Sequence, residues 1–368
     1  MFGIGSGKPP KKLFEFGSVE ERDRMQIREV IAPGKLLDES CLPADVLVSG
    51  NSALPAVEVA KASFDIMRSM FEQPSAVAVL KRSPVIGVMT DSLDMNGFAM
   101  MLHLGEKYLI SLNAGVMLRV TVSAYRLFGY REQQLGRQFM IGSARIWPNT
   151  TFPLPVDTTL RKELLRSAMY ATIAIFSHEI AHCFRGHLGK SKMKLTEEFS
   201  AAPSNPEGRA DDVRLAMEVD ADEFSGRFLT DIFFRGSKGR GDFLLDINQK
   251  AEFESVATGV LLALSFAPKS RFYLSGKTRT FLILSGLLLA CGNGGPGDGR
   301  TSAQYLLSLI ERLSDEMVAA GIEVCNRDVT IADERTELAR ALDARSAHLQ
   351  SWLNNRPDWG GRGAPFVQ

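Results

Sequence analysis

The sequence predicts a mainly helical α+β protein, in which a long helix lies beside a small antiparallel sheet and further helices follow toward the C-terminus. Three observations predict this class. Apolar residues recur at helical spacing in most segments of the chain. Residues 84–113 instead contain three short apolar runs separated by turn residues, which is typical of neighbouring strands. The composition, with 45% hydrophobic and 23% charged residues over 368 positions, provides enough apolar material for a sizeable core.

Charge, cysteine content and the lengths of the apolar runs narrow the function classes. Lysine plus arginine and aspartate plus glutamate both number 43, so no bulk charge attracts nucleic acid, and no nucleic-acid partner is expected. The four cysteines are far apart and no apolar signal segment follows the N-terminal basic residues, so we expect reduced thiols and a cytoplasmic location. The longest apolar runs, 256–267 and 281–291, are shorter than the ~18 residues of a membrane span, so no integral membrane association is expected. The oligomeric state stays open.

Four segments are expected along the chain. Residues 1–40 are rich in glycine, proline and charge, and they are expected to form a polar N-terminal extension. A main domain follows over residues 41–291, and the glycine-rich stretch 291–300 links it to a C-terminal helical segment at 301–355. Residues 356–368 are expected to form a flexible tail.

The main domain is predicted to begin with an amphipathic helix and a sheet. Residues 53–73 have apolar positions at helical spacing. The runs 84–90, 97–104 and 107–113 have the length of strands, and the short connections between them favour an antiparallel meander. The turns are expected at Asn96-Gly97 and Gly105-Glu106.

Helices account for most of the remaining chain. The longest helical pattern begins at Asp157 or Thr158, either of which can cap a helix, and no proline or glycine interrupts it before Gly186. Gly189 is predicted to end it. Further helices are predicted at residues 114–128, 211–234, 243–266, 277–291, 302–320 and 332–354.

The end of this long helix carries three of the five histidines. His178, Glu179 and His182 fit the pattern H-E-x-x-H. Side chains at i and i+4 share one helix face, so both imidazoles can hold one metal ion, and the pattern favours zinc. Glu179 is turned by about 100° from His178, which places its carboxylate beside the metal as a general base for a bound water. The alternative is a helix that carries two histidines by chance.

A third metal ligand is expected on the helix that follows. Glu218 and Asp222 are four residues apart and share a face. Glu218 is predicted to bind the metal, and Asp222 is predicted to accept a hydrogen bond from the far nitrogen of a ligand histidine. Asp220 is turned by about 200° from Glu218, so its replacement by alanine is expected to resemble wild type. The alternative is a solvated acidic face that includes Asp220 and Glu223.

These motifs resemble those of gluzincin metallopeptidases, in particular the family of the CAAX prenyl protease and HtpX. That family has H-E-x-x-H, a later E-x-x-A-D and an upstream strand with N-A-F-A. This chain has E-V-D-A-D at Glu218–Asp222 and N-G-F-A at Asn96–Ala99, and the resemblance covers residues 84–230. The chain departs from the family in having no predicted transmembrane helix.

The resemblance implies a zincin-like fold for the main domain, bound Zn²⁺, and a peptide or protein substrate. It implies hydrolysis of peptide bonds through a zinc-activated water, with Glu179 as the general base. It also implies that Asn96 and Phe98, at the edge of the cleft, bind an extended substrate by β-addition.

Two functions from different classes fit these residues. The first is a zinc-dependent endopeptidase, and the second is a zinc-binding regulatory protein that has lost turnover. Glu179 favours the enzyme, because a purely structural zinc site has no need of a base. A non-peptide metallohydrolase is a third interpretation. The oxyanion-stabilising residue is left open among His187, Arg271, Tyr273 and Arg279. Cys183 is predicted to be a core residue, and His103 and His348 are predicted to be structural or surface residues.

Overall fold

Helices form most of the described chain, which confirms the mainly helical class. The structure, a computed structural model, describes residues 15–16, 59, 62–63, 66–67, 85–90, 97–102, 107–136, 141–147, 150–155, 158–188, 208–234, 246–267, 273–292 and 299–354. The strands in these ranges are β1 (Glu15–Phe16), β2 (Val85–Thr90), β3 (Gly97–Leu102), β4 (Lys107–Asn113), β5 (Ile141–Trp147) and β6 (Thr150–Pro155). The helices are α1 (Ala114–Gln134), α2 (Thr158–Arg185), α3 (Gly208–Phe233), α4 (Ile247–Leu264), α5 (Gly276–Ala290), α6 (Gly299–Ala319) and α7 (Arg335–Asn354).

The main sheet is mixed, so the predicted antiparallel meander is wrong. The strand order is β1-β2-β4-β3. β4 pairs in parallel with β2 and antiparallel with β3, and β1 pairs antiparallel with the other edge of β2. The physical reason is the burial of β4, because six of its seven residues are buried and both of its faces therefore need cover. The buried strand β4 thus lies between its two predecessors, β2 and β3. Of the predicted turn residues, Gly97 begins β3 and the other three lie outside the described residues.

The two faces of this sheet contact different parts of the core. One face joins the main core of the protein through Val85, Ala99, Tyr108, Ile110 and Leu112. The opposite face forms a small cluster of its own from Ile86, Val88, Leu102 and Leu109. A second sheet, the antiparallel hairpin of β5 and β6, was not predicted from the sequence.

The long helix α2 occupies the centre of the fold. It begins at Thr158 as predicted, and every residue from Tyr170 to Leu188 is buried. Helices α1, α3 and α4 and strand β3 all pack against it. The helix ends at Arg185, because Gly186 adopts a φ of 77°, which a residue with a side chain rarely adopts. Gly189, the predicted end, lies outside the described residues.

Glycines let the helices around α2 approach one another closely. A Cβ atom added at Gly226 of α3 would collide with the backbone carbonyl of Ile283 in α5. A Cβ atom added at Gly286 of α5 would collide in turn with the backbone of Glu223 in α3. This reciprocal contact brings the backbones of α3 and α5 together, so side chains on one helix reach well across the other.

The C-terminal helices pack directly on the helices of the main domain. α6 lies against α4 and α5, and α7 lies along α3. Within the described ranges, no helix combines the length and the apolar character that crossing a bilayer requires.

Candidate metal centre

Three side chains from two helices converge at the centre of the fold. α2 supplies His178 and His182, and α3 supplies Glu218. His178 Nε2 lies 3.0 Å from Glu218 Oε2 and 3.0 Å from His182 Nε2. His182 Nε2 lies 3.5 Å from the same carboxylate oxygen. Ligand atoms around one tetrahedral zinc-sized ion are about 3.3–3.5 Å apart, so this group could hold a metal ion with small adjustments.

The convergence is buried, and its carboxylate stays ionised despite the burial. His178, His182 and Glu218 are only 2%, 3% and 4% exposed. Burial raises the pKa of Glu218, but the neighbouring imidazoles of His182 and His178 outweigh that effect and bring it well below its usual range. The carboxylate is therefore ionised. Two imidazoles and one carboxylate form a donor set typical of catalytic zinc.

Glu179 is buried beside these groups on α2 and is not one of the three that converge. Glu218 can serve as the third ligand, so Glu179 is not needed to bind the metal. Cys183, one turn later, is buried in the main core and donates its S–H to the Glu179 backbone carbonyl at 3.5 Å. Burial raises the pKa of the Cys183 thiol well above its usual value, and Glu179 raises it further. Cys183 is therefore a neutral core residue, as predicted.

The far side of His178 faces a carboxylate that is itself held by an arginine. His178 Nδ1 lies 2.9 Å from Asp222 Oδ1. Arg279 of α5 donates from Nε to Asp222 Oδ2 at 2.9 Å and from Nη2 to Asp222 Oδ1 at 3.0 Å. The guanidinium of Arg279 also lies over the ring of Tyr273, 5.3 Å from its centroid. We call His178, Asp222 and Arg279 the Asp222 network.

The Asp222 network sets which nitrogen of His178 faces the metal position. Burial raises the pKa of Asp222, but Arg279 and His178 lower it by more than burial raises it. The net pKa is below its usual value, so the carboxyl stays ionised. An ionised carboxylate only accepts hydrogen bonds, so the proton of a neutral His178 lies on Nδ1. The Nε2 lone pair then points toward His182 and Glu218. A metal ligand needs this tautomer.

The far side of His182 faces a second, longer series of contacts. His182 Nδ1 lies 2.9 Å from Nδ1 of His187, and His187 Nε2 lies 3.0 Å from Asp220 Oδ2. Asp220 also accepts from both Nε and Nη2 of Arg185, at 2.7 and 2.9 Å. Nε of Arg345, in α7, forms an ion pair with Asp220 Oδ1 at 2.6 Å. We call these five residues the Asp220 network.

Asp220 corrects an expectation drawn from the sequence. Its phase on α3 is the one predicted, on the side opposite Glu218, but that side is covered and Asp220 is 0% exposed. Burial raises the pKa of Asp220, but His187 and Arg185 together lower it below its usual range, so the carboxyl is ionised. The expectation that Asp220→Ala resembles wild type is therefore no longer held, because the substitution would leave two arginines without their shared anion.

The structure brings together four of the predicted site residues and leaves the substrate residues less defined. His178, His182, Glu218 and Asp222 meet as described, and Glu179 lies beside them. Phe98 lies in β3 opposite Ser111 of β4, and Asn96 lies outside the described residues. Of the candidate oxyanion donors, Arg279 contacts the site and Arg271 lies outside the described residues. His103 also lies outside them, whereas His348 is exposed on α7, which confirms it as a surface residue.

The contacts of His187 with His182 and Asp220 were not predicted from the sequence, and neither were the positions of Arg345 and Trp352 beside them. A local signal existed for His187, because a glycine that ends a helix reverses the chain and returns the following residue onto the last turn. No local signal existed for Arg345 and Trp352, which reach the site from a distant helix. The ring of Trp352 lies 4.9 Å from that of His187.

We compared the chain with models of protein families, with curated proteins and with solved structures, and none of them matched significantly. The residues of the site are therefore the only basis for assigning a function.

Proposed function

We propose that this chain is a zinc-dependent endopeptidase of the gluzincin type, acting in the cytoplasm on a peptide or protein substrate. The observation that carries the proposal is the convergence of His178 Nε2, His182 Nε2 and Glu218 Oε2, within 3.0 to 3.5 Å of one another, beside the buried Glu179. Asp222 and Asp220 are explained by their contacts behind the two histidines, whereas a carboxylate directly after a ligand histidine matches the place of a general base for a metal-bound water.

Peptide hydrolysis requires a proton to move from water to the leaving amine. Glu179 would accept that proton as the water oxygen bonds to the carbonyl carbon, and would donate it to the nitrogen as the C–N bond breaks. Zinc held by His178, His182 and Glu218 would polarise the carbonyl and lower the pKa of the water. Asp222 would hold His178 in the binding tautomer throughout.

Strand β3 is a suitable place for an extended substrate. In the described sheet β3 pairs with β4 on one side only, and it packs against α2. A Cβ atom at Gly97 would lie 3.7 Å from Cγ2 of Ile175, which precedes His178 by three residues. A peptide that adds to this edge would therefore run beside the catalytic groups. Phe98 of β3 and Asn96, which precedes the strand in sequence, are proposed to contact it.

A zinc-binding regulatory protein that has lost turnover is the second candidate. The observation that favours it is the depth of the site, since Glu179 is only 4% exposed and a substrate must reach it for hydrolysis. The two candidates differ in one measurable property, which is cleavage that depends on Glu179.

The deciding experiment compares wild type with Glu179→Gln and with Glu163→Gln as a matched control. Glu163 lies on the same helix but is exposed. Each protein is loaded with zinc, its metal content is measured, and it is incubated with a proteome-derived peptide mixture whose new N-termini are identified by mass spectrometry. We expect about one zinc per chain in all three proteins, and cleavage by wild type and Glu163→Gln only.

Each other outcome assigns a different function. Stoichiometric zinc without cleavage by wild type would support the regulatory protein. Cleavage that survives Glu179→Gln would remove Glu179 as the base. A parallel assay on non-peptide esters and amides tests the third interpretation, a non-peptide metallohydrolase, which hydrolysis of these substrates alone would support. Zinc that stays well below one per chain after repletion would contradict the metal centre itself.

A further inference from the structure

The turn that ends α2 places His187 directly behind His182. Gly186 takes a positive φ of 77°, and the backbone N–H groups of Gly186 and His187 donate to the carbonyls of Cys183 and His182, at 3.4 and 3.1 Å. This pair of hydrogen bonds is a Schellman motif. It folds the chain back over the last helical turn. The side chain of His187, the residue after Gly186, therefore lies against His182.

The hydrogen bonds of His187 have a direction that the charges determine. Asp220 is ionised and only accepts, so His187 Nε2 carries the proton of that bond. A neutral imidazole has one donor and one acceptor nitrogen, so Nδ1 of His187 is the acceptor. The proton between the two rings therefore belongs to His182 Nδ1. The remaining nitrogen of His182, Nε2, keeps its lone pair for the metal position.

We propose that His187 is a positioning residue for the metal centre, which holds His182 in the metal-binding tautomer and orientation by relaying its hydrogen bond to Asp220. The proposal rests on the metal-binding part of the proposed function and not on hydrolysis. Through His187, Asp220 fixes the tautomer of His182, as Asp222 fixes that of His178 by direct contact. A histidine is needed here because the gap between His182 and Asp220 is too wide for one hydrogen bond, and an imidazole can accept at one end and donate at the other.

Helix α7 completes this relay from the C-terminal side. Arg345 contacts Asp220 and also donates to Glu223 Oε2 at 2.6 Å, so it bridges two acidic residues of α3. Trp352 lies two helical turns after Arg345 on the same face of α7, and its ring packs edge-to-face with that of His187 at a centroid distance of 4.9 Å. The imidazole of His187 is thus held by a hydrogen bond at each nitrogen and by an aromatic ring beside it. Its fixed orientation is what a positioning residue requires.

A purely structural role for His187 makes a different prediction from the relay. If His187 only fills space at the end of α2, then phenylalanine should replace it without loss of metal binding, because phenylalanine keeps a planar ring against Trp352. If the relay acts, phenylalanine should fail, because it has neither donor nor acceptor. Glutamine should succeed in part, because its amide can accept from His182 and donate to Asp220.

The test compares His187→Phe and His187→Gln with wild type and with His348→Phe. His348 is a matched control, because it is exposed and stacks on the same Trp352 ring without touching the metal-centre residues. The affinities for Zn²⁺ and Co²⁺ are measured by competition with a chelator, and the visible absorption of bound Co²⁺ reports its coordination geometry. Thermal unfolding of each metal-free protein shows whether the fold is retained.

We expect His187→Phe to weaken metal binding by about 10–100-fold and to alter the Co²⁺ spectrum, with His187→Gln between it and wild type. His348→Phe should match wild type in both measurements. Metal affinity of His187→Phe within about threefold of wild type would overturn the proposal. So would equal losses in the phenylalanine and glutamine variants, because hydrogen bonding would then not be the cause. A wild type that binds metal but cleaves nothing would overturn the proposed endopeptidase and leave the relay intact.

Discussion

The two histidines of the H-E-x-x-H segment are held from behind in different ways. His178 contacts Asp222 directly, and Arg279 fixes Asp222 from α5 at a position that is almost fully buried. His182 reaches Asp220 only through His187, and Asp220 is shared between Arg185 and Arg345, whose side chain is 18% exposed. The Asp222 network has three residues, and all of their side chains are almost fully buried. The Asp220 network is longer and reaches the surface.

The difference follows from the geometry of one helix. Asp220 and Asp222 are both on α3, but two residues correspond to about 200° around a helix, so they cannot face the same partner. Asp222 faces α2 together with Glu218. Asp220 faces the end of α2, where the chain has already turned back at Gly186. One helix can therefore supply the carboxylates behind both histidines, because His187 bridges the distance between His182 and Asp220.

The largest effect is expected at Glu218, whose carboxylate contacts one histidine of each network. Glu218→Ala removes the carboxylate that both Nε2 atoms contact, so zinc affinity should fall by more than the roughly 100-fold that marks the upper range for outer contacts. Chelator competition with zinc measures this loss. Glu163→Ala, which removes an exposed glutamate of α2, should bind zinc like wild type. Retention of wild-type affinity by Glu218→Ala would mean that the third ligand is misassigned.

Breaking the Asp222 network should have the next largest effect, and its main consequence is on stability. Asp222→Ala leaves the buried Arg279 without its anion, and the loss of one partner from a buried ion pair costs about 3–5 kcal/mol of unfolding free energy. Urea denaturation of the metal-free protein measures this cost. The double variant Asp222→Leu with Arg279→Met should recover most of it, because no charge is then left unpaired. Failure of the double variant to recover stability would show that packing, and not the charge, is the cause.

Breaking the Asp220 network should cost less. Asp220→Ala removes several hydrogen bonds to charged partners, and one such bond is typically worth about 1.5–3 kcal/mol. We expect the net loss of unfolding free energy to stay near the value of one bond, because water can replace part of the others. Arg345 is partly exposed, so water can solvate it after the change. Urea denaturation beside Asp222→Ala gives the comparison directly. An unfolding free energy equal to wild type would restore the original expectation that Asp220 is a neutral position.

The smallest effect is expected at the outer end of the Asp220 network. Arg345→Met removes two ion pairs of a side chain that is 18% exposed, but Asp220 keeps Arg185 and His187 as partners. The cost should therefore lie nearer the roughly 0.2–1 kcal/mol of an exposed pair than that of a broken buried pair. The methionine keeps the aliphatic packing of α7 on α3. The change in unfolding free energy should therefore be small, while zinc dissociation becomes modestly faster because Asp220 is less firmly held. A loss as large as that of Asp222→Ala would show that the two networks are equally closed to water.

How far the sequence predicts this molecule depends on the range of the interactions. The helix α2, its H-E-x-x-H segment and the pairing of Glu218 with Asp222 on one face follow from the helical period, which is local. The mixed sheet does not, because the choice between β2 and β3 as neighbours of β4 depends on what covers each face. The burial of Asp220 does not either. Its direction was predicted, but α7 covers that side, and Arg345 lies 122 residues beyond its α3 partner Glu223.

The contact of α7 with the Asp220 network also orders events in time during synthesis. Ribosomes add about 5–20 residues per second, so the 122 residues between Glu223 and Arg345 take roughly 6–24 s to make. A growing chain therefore holds His178, His182 and Glu218 for seconds before α7 can close the site from behind. The contact of Arg345 with Asp220, which completes the network behind His182, can form only after α4, α5 and α6 have been synthesised. Under the proposed peptidase function, this delay would protect the nascent chain, which is the nearest unfolded substrate of an early active site.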